Sequence, residues 1–139
     1  MRILVITQNY PPDLGAGSFR MKALVSTLIS RNHQVFVISG TPNRYDSIGK
    51  DSSGDNSSRE RIIRIPVPQQ KQDLLQRGLS YFGFFRKATK EAKKLAKDCD
   101  VIVATSPQLL VAYAAAKAAK QGKKPFVLDI RDLWPDVMI

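Results

Sequence analysis

Four short, mostly apolar runs set the strongest constraint on how this chain folds, because each has the length of a single strand. These runs are residues 3–6, 35–38, 101–104 and 126–130. Such continuous apolar runs are typical of strands covered on both faces of a parallel sheet. Residues 61–66 instead alternate isoleucine with arginine, so we expect a more exposed strand at a sheet edge. The polar residues 40–58, which lie before that strand, are predicted to form a loop.

Helical patterns fill the intervals between the strands. A first helix is predicted to start with Ser18 as its N-cap and to end at Asn32, since asparagine tolerates the left-handed conformation. Further helices are predicted over residues 72–97 and 108–120, the last with Gly122 beyond its end. This alternation predicts an α/β fold of Rossmann-like type, an open parallel sheet in the order 3-2-1-4-5 with helices on both faces.

Composition narrows the class of protein and its partners. The chain has 139 residues, enough for one domain, and a formal net charge of +10. This charge favours an anionic partner such as a phosphate-rich ligand, nucleic acid or an acidic membrane surface. The single cysteine, Cys99, excludes an internal disulfide and favours a reducing compartment. No run reaches the roughly 18 apolar residues of a membrane span, so we expect a cytoplasmic protein.

The ligand site is expected at the carboxyl ends of the strands, where parallel α/β sheets bind their ligands. The loop over residues 8–18, residues 105–107 and the pair Arg131 and Asp132 converge there. Glycines in the loop allow close approach of a ligand, and the following helix N-terminus attracts anions such as a diphosphate. The residues expected to bind a donor diphosphate or an acceptor are Asn9, Gly15, Ala16, Gly17, Ser18 and Ser106.

Two known phosphate-binding patterns are absent from this loop. The dinucleotide fingerprint would need a third glycine where Arg20 stands, and the Walker pattern is missing. A glycine-rich connector without a ligand is therefore the alternative. At the last strand, Arg131 is expected to pair with phosphate or with Asp129, and Asp132 to accept hydrogen bonds from sugar hydroxyls. The alternative for Asp132 is a helix cap or a surface charge. Neither zinc-type spacing nor a histidine partner for Cys99 is found, so no metal and no cysteine nucleophile is predicted.

The helix over residues 72–97 is strongly basic. Between Lys71 and Lys97 there are eight basic and two acidic residues. Its expected core-facing positions are Leu75, Leu79, Phe82, Phe85, Ala92 and Leu95. A basic helix with surplus aromatic residues can lie on an anionic membrane. The residues expected at the membrane surface are Tyr81, Phe84, Lys87, Lys90, Lys93 and Lys94. A solvated face is the alternative, and no motif indicates nucleic acid as a partner.

Three segments resemble a known enzyme family. Residues 1–15 resemble the opening of glycosyltransferase family 4, which has a strand, an aromatic-Pro-Pro-acidic turn and a glycine-bearing loop. Residues 31–35 resemble the family's Arg-Gly-His-x-Val turn, with Asn32 in place of the usual glycine. Residues 127–136 resemble the Arg-Asp-Leu-Trp-Pro segment of a subfamily that builds bacterial O-antigen and capsule chains, including transferases of the N-acetyl-L-fucosamine type.

The resemblance implies a GT-B architecture of two Rossmann-like domains with the active site between them. Residues 1–139 would be an incomplete N-terminal, acceptor-side domain, and the C-terminal nucleotide-binding domain would be absent. The family moves a sugar from a nucleotide diphosphate donor with retention, commonly without a metal; no cofactor is implied beyond that nucleotide-sugar substrate. The implied acceptor is a lipid-linked saccharide at the inner membrane face. Some relatives carry a histidine after the fifth strand, where this chain has Arg131 and Asp132.

Two further expectations follow, and two alternative functions stay open. We expect the fragment to be inactive alone, with Arg131 and Asp132 as candidate catalytic residues, because the other wall of the site is missing. We also expect a sheet edge exposed after the fifth strand, through which a dimer can form. The alternatives are another GT-B enzyme, such as a nucleotide-sugar 2-epimerase, and a basic binding module without catalysis.

Overall fold

Five parallel strands and three helices make up the part of the chain that the computed structural model describes, residues 1–41, 58–66, 74–106 and 109–131. In chain order the elements are β1 (Arg2–Ile6), α1 (Ala16–Ser30), β2 (Gln34–Gly40), β3 (Glu60–Ile65), α2 (Leu74–Leu95), β4 (Val101–Thr105), α3 (Leu109–Gly122) and β5 (Phe126–Asp129). Most of the loop predicted over residues 40–58 lies outside the described residues. None of the described helices is long and apolar enough to cross a bilayer.

The sheet has the order β3-β2-β1-β4-β5, which confirms the predicted Rossmann-like winding and the edge position of β3. Strand β1 lies at the centre, with Ile3 in register with Val35 of β2 and Val101 of β4. Strand order reverses between β1 and β4, so this is the switch point of the sheet.

Helices cover both faces of the sheet, as predicted. Side chains alternate along β1, so Leu4 and Ile6 pack in the core under α2 and α3, while Ile3 and Val5 pack under α1. All four are at most 5% exposed. This two-sided burial explains why the β1 run is continuously apolar.

The two ends of α1 differ in how well the sequence predicts them. At the C-terminus Asn32 has φ 65°, which confirms the left-handed cap. At the N-terminus Gly15 is the cap and the helix begins at Ala16, so the prediction that Ser18 is the N-cap is wrong. Ser18 takes the first position of the core-facing stripe that continues with Met21, and its buried side chain makes no hydrogen bond to the helix end.

Helix α2 is rotated relative to the prediction. Over residues 82–95 its buried face is Phe84, Ala88 and Ala92, four residues apart, of which Ala92 was predicted in the core; Ala96, just beyond the helix end, continues this face. Phe84 is 2% exposed, so the prediction that it lies at a membrane surface is wrong, and Phe82, expected in the core, is 50% exposed. The small alanine side chains let α2 approach the sheet closely, and the single large ring of Phe84 fills the remaining space.

Gly122 has a role in helix packing that the sequence did not predict. The structure places it inside α3, and the left-handed residue beyond the helix is Lys123, with φ 53°. A methyl group on Gly122 would lie 3.0 Å from the Ala96 Cβ atom. The glycine therefore allows the end of α3 to lie against the end of α2.

A pair of phenylalanine variants tests this rotation of α2. Replacing Phe84 with alanine removes a buried ring and should lower the free energy of unfolding by about 3–5 kcal/mol. Replacing the half-exposed Phe82 with alanine should lower it by about 1 kcal/mol or less. Urea denaturation followed by circular dichroism measures both. Equal losses, or a larger loss for the Phe82 variant, would contradict the assignment.

Candidate functional site

Three segments meet at the carboxyl edge of the sheet beside the switch point between β1 and β4. They are the loop that follows β1, Ser106 after β4, and Arg131 after β5. Because the strands are parallel, their carboxyl ends lie at the same edge, together with the N-terminus of α1.

Tyr10 anchors the loop that follows β1. Its ring is fully buried in the core under α1. The hydroxyl donates a 2.5 Å hydrogen bond to Glu60 Oε1, and Lys22 of α1 pairs with Glu60 Oε2 at 2.9 Å. Burial raises the pKa of Tyr10, and the bond and charge of Glu60 raise it further, so the phenol remains a neutral donor.

Arg64 of β3 anchors the same loop at its backbone. Its guanidinium donates to the carbonyl oxygens of Tyr10 and Pro11, to Ser39 Oγ at 2.7 Å and to the Gly40 carbonyl at 3.3 Å. Burial lowers the pKa of Arg64, while nearby Asp13, Tyr10 and Glu60 act in the opposite direction. The planar guanidinium therefore joins the loop after β1 to the end of β2.

The N-terminus of α1 presents backbone donors at this edge. The first bond within the helix runs from the Phe19 N–H group to the Gly15 carbonyl at 3.1 Å. The preceding amides, those of Ala16, Gly17 and Ser18, have no carbonyl partner within an α-helix. The Ser18 hydroxyl is buried and has no hydrogen-bond partner in the described part of the chain, so Ser18 contributes its amide to this end rather than its side chain.

The Arg131 guanidinium lies against this helix end. A methyl group on Gly17 would be 3.0 Å from Arg131 Nη1, so the guanidinium packs on the Gly17 backbone. The Arg131 N–H group donates to Ser106 Oγ at 2.6 Å, and the Ser106 N–H group donates to the Asp129 carbonyl at 2.9 Å. Ser106, 6% exposed, thus holds the backbone that carries Arg131.

Electrostatics at this point favour an anion. The carboxylate of Asp129 pairs with Arg20 at 3.1 Å, and no carboxylate among the described residues pairs with the Arg131 side chain. A cation at the positive end of a helix is unfavourable by itself. An anion between the two would receive charge-assisted hydrogen bonds from both sides.

The structure brings together most of the predicted binding residues. Gly15, Ala16, Gly17 and Ser18 form the helix end, and Arg131 and Ser106 lie beside it. Asn9 is exposed in the same loop, and its carbonyl accepts a bond from Thr7 Oγ1 at 3.1 Å. Asp132 lies outside the described residues. Roles of Arg131 and Asp132 in catalysis remain predictions.

Sequence reasoning missed Tyr10, Lys22, Glu60 and Arg64. The alternation of isoleucine and arginine in β3 predicted only that the strand is exposed. The strand register instead places Arg64 beside Ser39, near the end of β2. A charged residue that is partly buried against backbone carbonyls cannot be distinguished by local pattern from one that faces water.

A depression of about 560 Å³ opens at the opposite edge of the sheet. It is lined by Met1, Arg2, Asn32, Gln34, Lys97, Asp98, Cys99, Asp100 and Lys124. The helices end there rather than begin, so their partial negative charges disfavour an anion. Burial raises the pKa of the Cys99 thiol to about 11, with the nearby Asp98 and Asp100 contributing, so this cysteine stays protonated near neutral pH. No metal-binding group of three histidine, cysteine or acidic side chains occurs in the described residues.

Similarity to known proteins is limited to the fold. No protein-family model and no curated protein matches the chain. Two structures of the C-terminal domain of a hydrogenase from Pyrococcus furiosus are similar to this chain. One covers 92% of this chain and 90% of its own, at 16% identity and a TM-score of 0.62. The other covers 91% of this chain and 89% of its own, at 15% identity and a TM-score of 0.65. A UGT transferase from Siraitia grosvenorii, solved in complex with UDP, is similar at 17% identity and a TM-score of 0.55.

Coverage differs between these neighbours. The similarity to the transferase takes in 92% of this chain but only 27% of the transferase chain. At these identities the likeness shows a Rossmann-like domain of the type found in a glycosyltransferase and in a hydrogenase. Because one fold serves both, the function has to be argued from the site.

The anchoring role of Arg64 can be tested by a conservative change. Lysine at position 64 keeps a charge but cannot reach several acceptors in one plane, so Arg64→Lys should lower the free energy of unfolding by about 1–3 kcal/mol. It should also speed hydrogen exchange of the amides at residues 13–17. The control is Arg61→Lys on the exposed side of the same strand, which should change stability by about 0.5 kcal/mol or less. Identical behaviour of the two variants would contradict the anchoring role.

Proposed function

We propose that this chain forms the diphosphate-binding wall of a nucleotide-sugar-dependent glycosyltransferase. The observation that carries the proposal is the meeting of the α1 N-terminus with the Arg131 guanidinium, which has no carboxylate partner among the described residues. A diphosphate has the charge and the oxygen acceptors that these donors require.

The chemistry of sugar transfer gives this arrangement a role. When the bond between the sugar and the nucleotide diphosphate breaks, negative charge grows on the leaving phosphate oxygens. Donors already fixed around those oxygens stabilise that charge without having to reorganise. Ser106 would hold the Arg131 backbone, the guanidinium would lie against Gly17 on one side, and the helix amides would act from the other.

The neighbour solved with UDP supports this assignment, since its fold is shared and its ligand is a nucleoside diphosphate. Because this chain matches only 27% of that neighbour, the activity of a whole enzyme would depend on further chain. We propose a GT-B architecture in which residues 1–139 supply one domain, and in which this domain alone transfers no sugar.

The finer assignment rests on the resemblance of residues 127–136 to the Arg-Asp-Leu-Trp-Pro segment. On that basis we propose a retaining transferase that acts on a lipid-linked saccharide in the synthesis of bacterial O-antigen or capsule. Asp132, next to the anion site in sequence, is the proposed partner of sugar hydroxyls.

Calorimetric titration of the chain with UDP, inorganic pyrophosphate and uridine tests the diphosphate site. UDP and pyrophosphate should bind, and uridine should bind far more weakly. Arg131→Gln removes a charged donor and should raise the Kd for pyrophosphate by about 10- to 100-fold. Gly17→Ala should also weaken binding, because the added methyl would lie 3.0 Å from Arg131 Nη1 and would push the guanidinium away from the helix end.

A matched control separates the site from the overall positive charge. Arg31→Gln removes the same charge at the opposite end of α1, where the residue is exposed. It should leave the Kd nearly unchanged. Equal weakening by Arg31→Gln and Arg131→Gln would mean nonspecific attraction and would refute the site.

A further inference from the structure

An exposed aromatic cluster joins α2 to α3, on the face of the sheet opposite α1. Phe82 and Tyr113 are 50% and 57% exposed, and the half-buried Phe85 lies between them. The ring centroids of Phe82 and Phe85 are 6.0 Å apart, and those of Phe85 and Tyr113 are 5.7 Å apart. With Leu110, which is 41% exposed, these residues form what we call the aromatic ridge.

Cationic side chains border the aromatic ridge. Lys117 Nζ lies 5.6 Å from the centroid of the Tyr113 ring, and Lys120 is exposed one turn further along α3. Helix α3 contains no acidic residue. Helix α2 has six basic residues and one acidic residue, Glu91, which is paired with Lys94 at 2.8 Å.

We propose that the aromatic ridge, with Lys117 and Lys120, binds the surface of an anionic lipid bilayer. Apolar rings can enter the boundary between headgroups and acyl chains while lysines meet the lipid phosphates. Tyr113 suits that boundary because its ring is apolar and its hydroxyl is polar. The surface differs from the one predicted from the sequence, since Phe84 is buried and Phe82 and Tyr113 take its place.

The character of the side chains favours lipid over nucleic acid. Phe82 and Leu110 expose hydrocarbon without any polar atom, which a lipid interface accommodates and a phosphate backbone does not. The ridge is built from the outer sides of two packed helices, whereas single-stranded nucleic acid is usually held in a basic groove that follows its backbone.

The ridge also lies toward the site end of the domain. Leu110 and Tyr113 belong to the first turns of α3, which starts after the carboxyl end of β4. A bilayer against the ridge would therefore lie near the anion site, where a lipid-linked acceptor would be needed. In this respect the inference builds on the proposed function, although lipid binding can be measured without any sugar.

Co-sedimentation of the 139-residue chain with vesicles tests the inference. Binding is expected to vesicles of phosphatidylcholine with phosphatidylglycerol, and only weakly to pure phosphatidylcholine. The double variant Phe82→Ser with Tyr113→Ser should lose about tenfold or more in affinity. Lys117→Gln should lose about fivefold, as expected for one cation near an anionic surface.

Matched controls lie on the other face of the sheet. Phe19→Ser removes a phenylalanine that is 59% exposed on α1, and Arg31→Gln removes an exposed charge there; neither should change vesicle affinity. A loss equal to that of the ridge variants would overturn the assignment, as would no effect of the ridge variants.

Two further measurements, of RNA binding and of pyrophosphate binding, make the outcome decisive. If labelled single-stranded RNA binds and the ridge variants weaken it while vesicles do not bind, the lipid assignment is wrong. Pyrophosphate binding by the ridge variants should match wild type, so failure of the membrane surface and failure of the diphosphate site are distinguished.

Discussion

Strand β1 has a strand on each side and a helical layer on each face, so the chain that follows it emerges only at the carboxyl edge of the sheet. Everything proposed for the site depends on this constraint. The loop leads directly into α1, which therefore begins at the same edge, beside the switch point. The positive end of α1 is thereby directed to the place where ligands of parallel sheets bind.

Burial of β1 does not by itself determine the path of the loop. Tyr10 and Arg64 do so, the first through its ring and hydroxyl beneath α1, the second through the carbonyl groups of the loop. On the other side Ser106 holds the backbone of Arg131. The anion site is therefore assembled from separate anchors, Arg64 on β3 and Ser106 after β4, which hold the backbone of the loop and of Arg131 before a ligand arrives. Such preorganisation is the condition for electrostatic stabilisation.

Sequence patterns predicted the features that depend on periodicity and failed on those that depend on contacts. The strands follow from apolar runs, their order from the usual winding of open parallel sheets, and the Asn32 cap from the conformational tolerance of asparagine. The rotation of α2 was missed because alanines carry little periodic signal, although they form its buried face. Arg64 was missed because its acceptors lie far away in the sequence, in the loop after β1 and at the end of β2. Ser18 was missed because a small hydroxyl residue suits both a cap and a core position.

The account's central claim is that the first amides of α1 and the Arg131 guanidinium receive a diphosphate. A titration of the ¹⁵N-labelled chain with UDP, followed by two-dimensional NMR, tests it residue by residue. The claim predicts the largest shift changes at the amides of Ala16, Gly17 and Ser18 and at the Arg131 side chain. Changes confined to the opposite edge of the sheet, around Lys97 and Lys124, with the helix end unmoved, would contradict it.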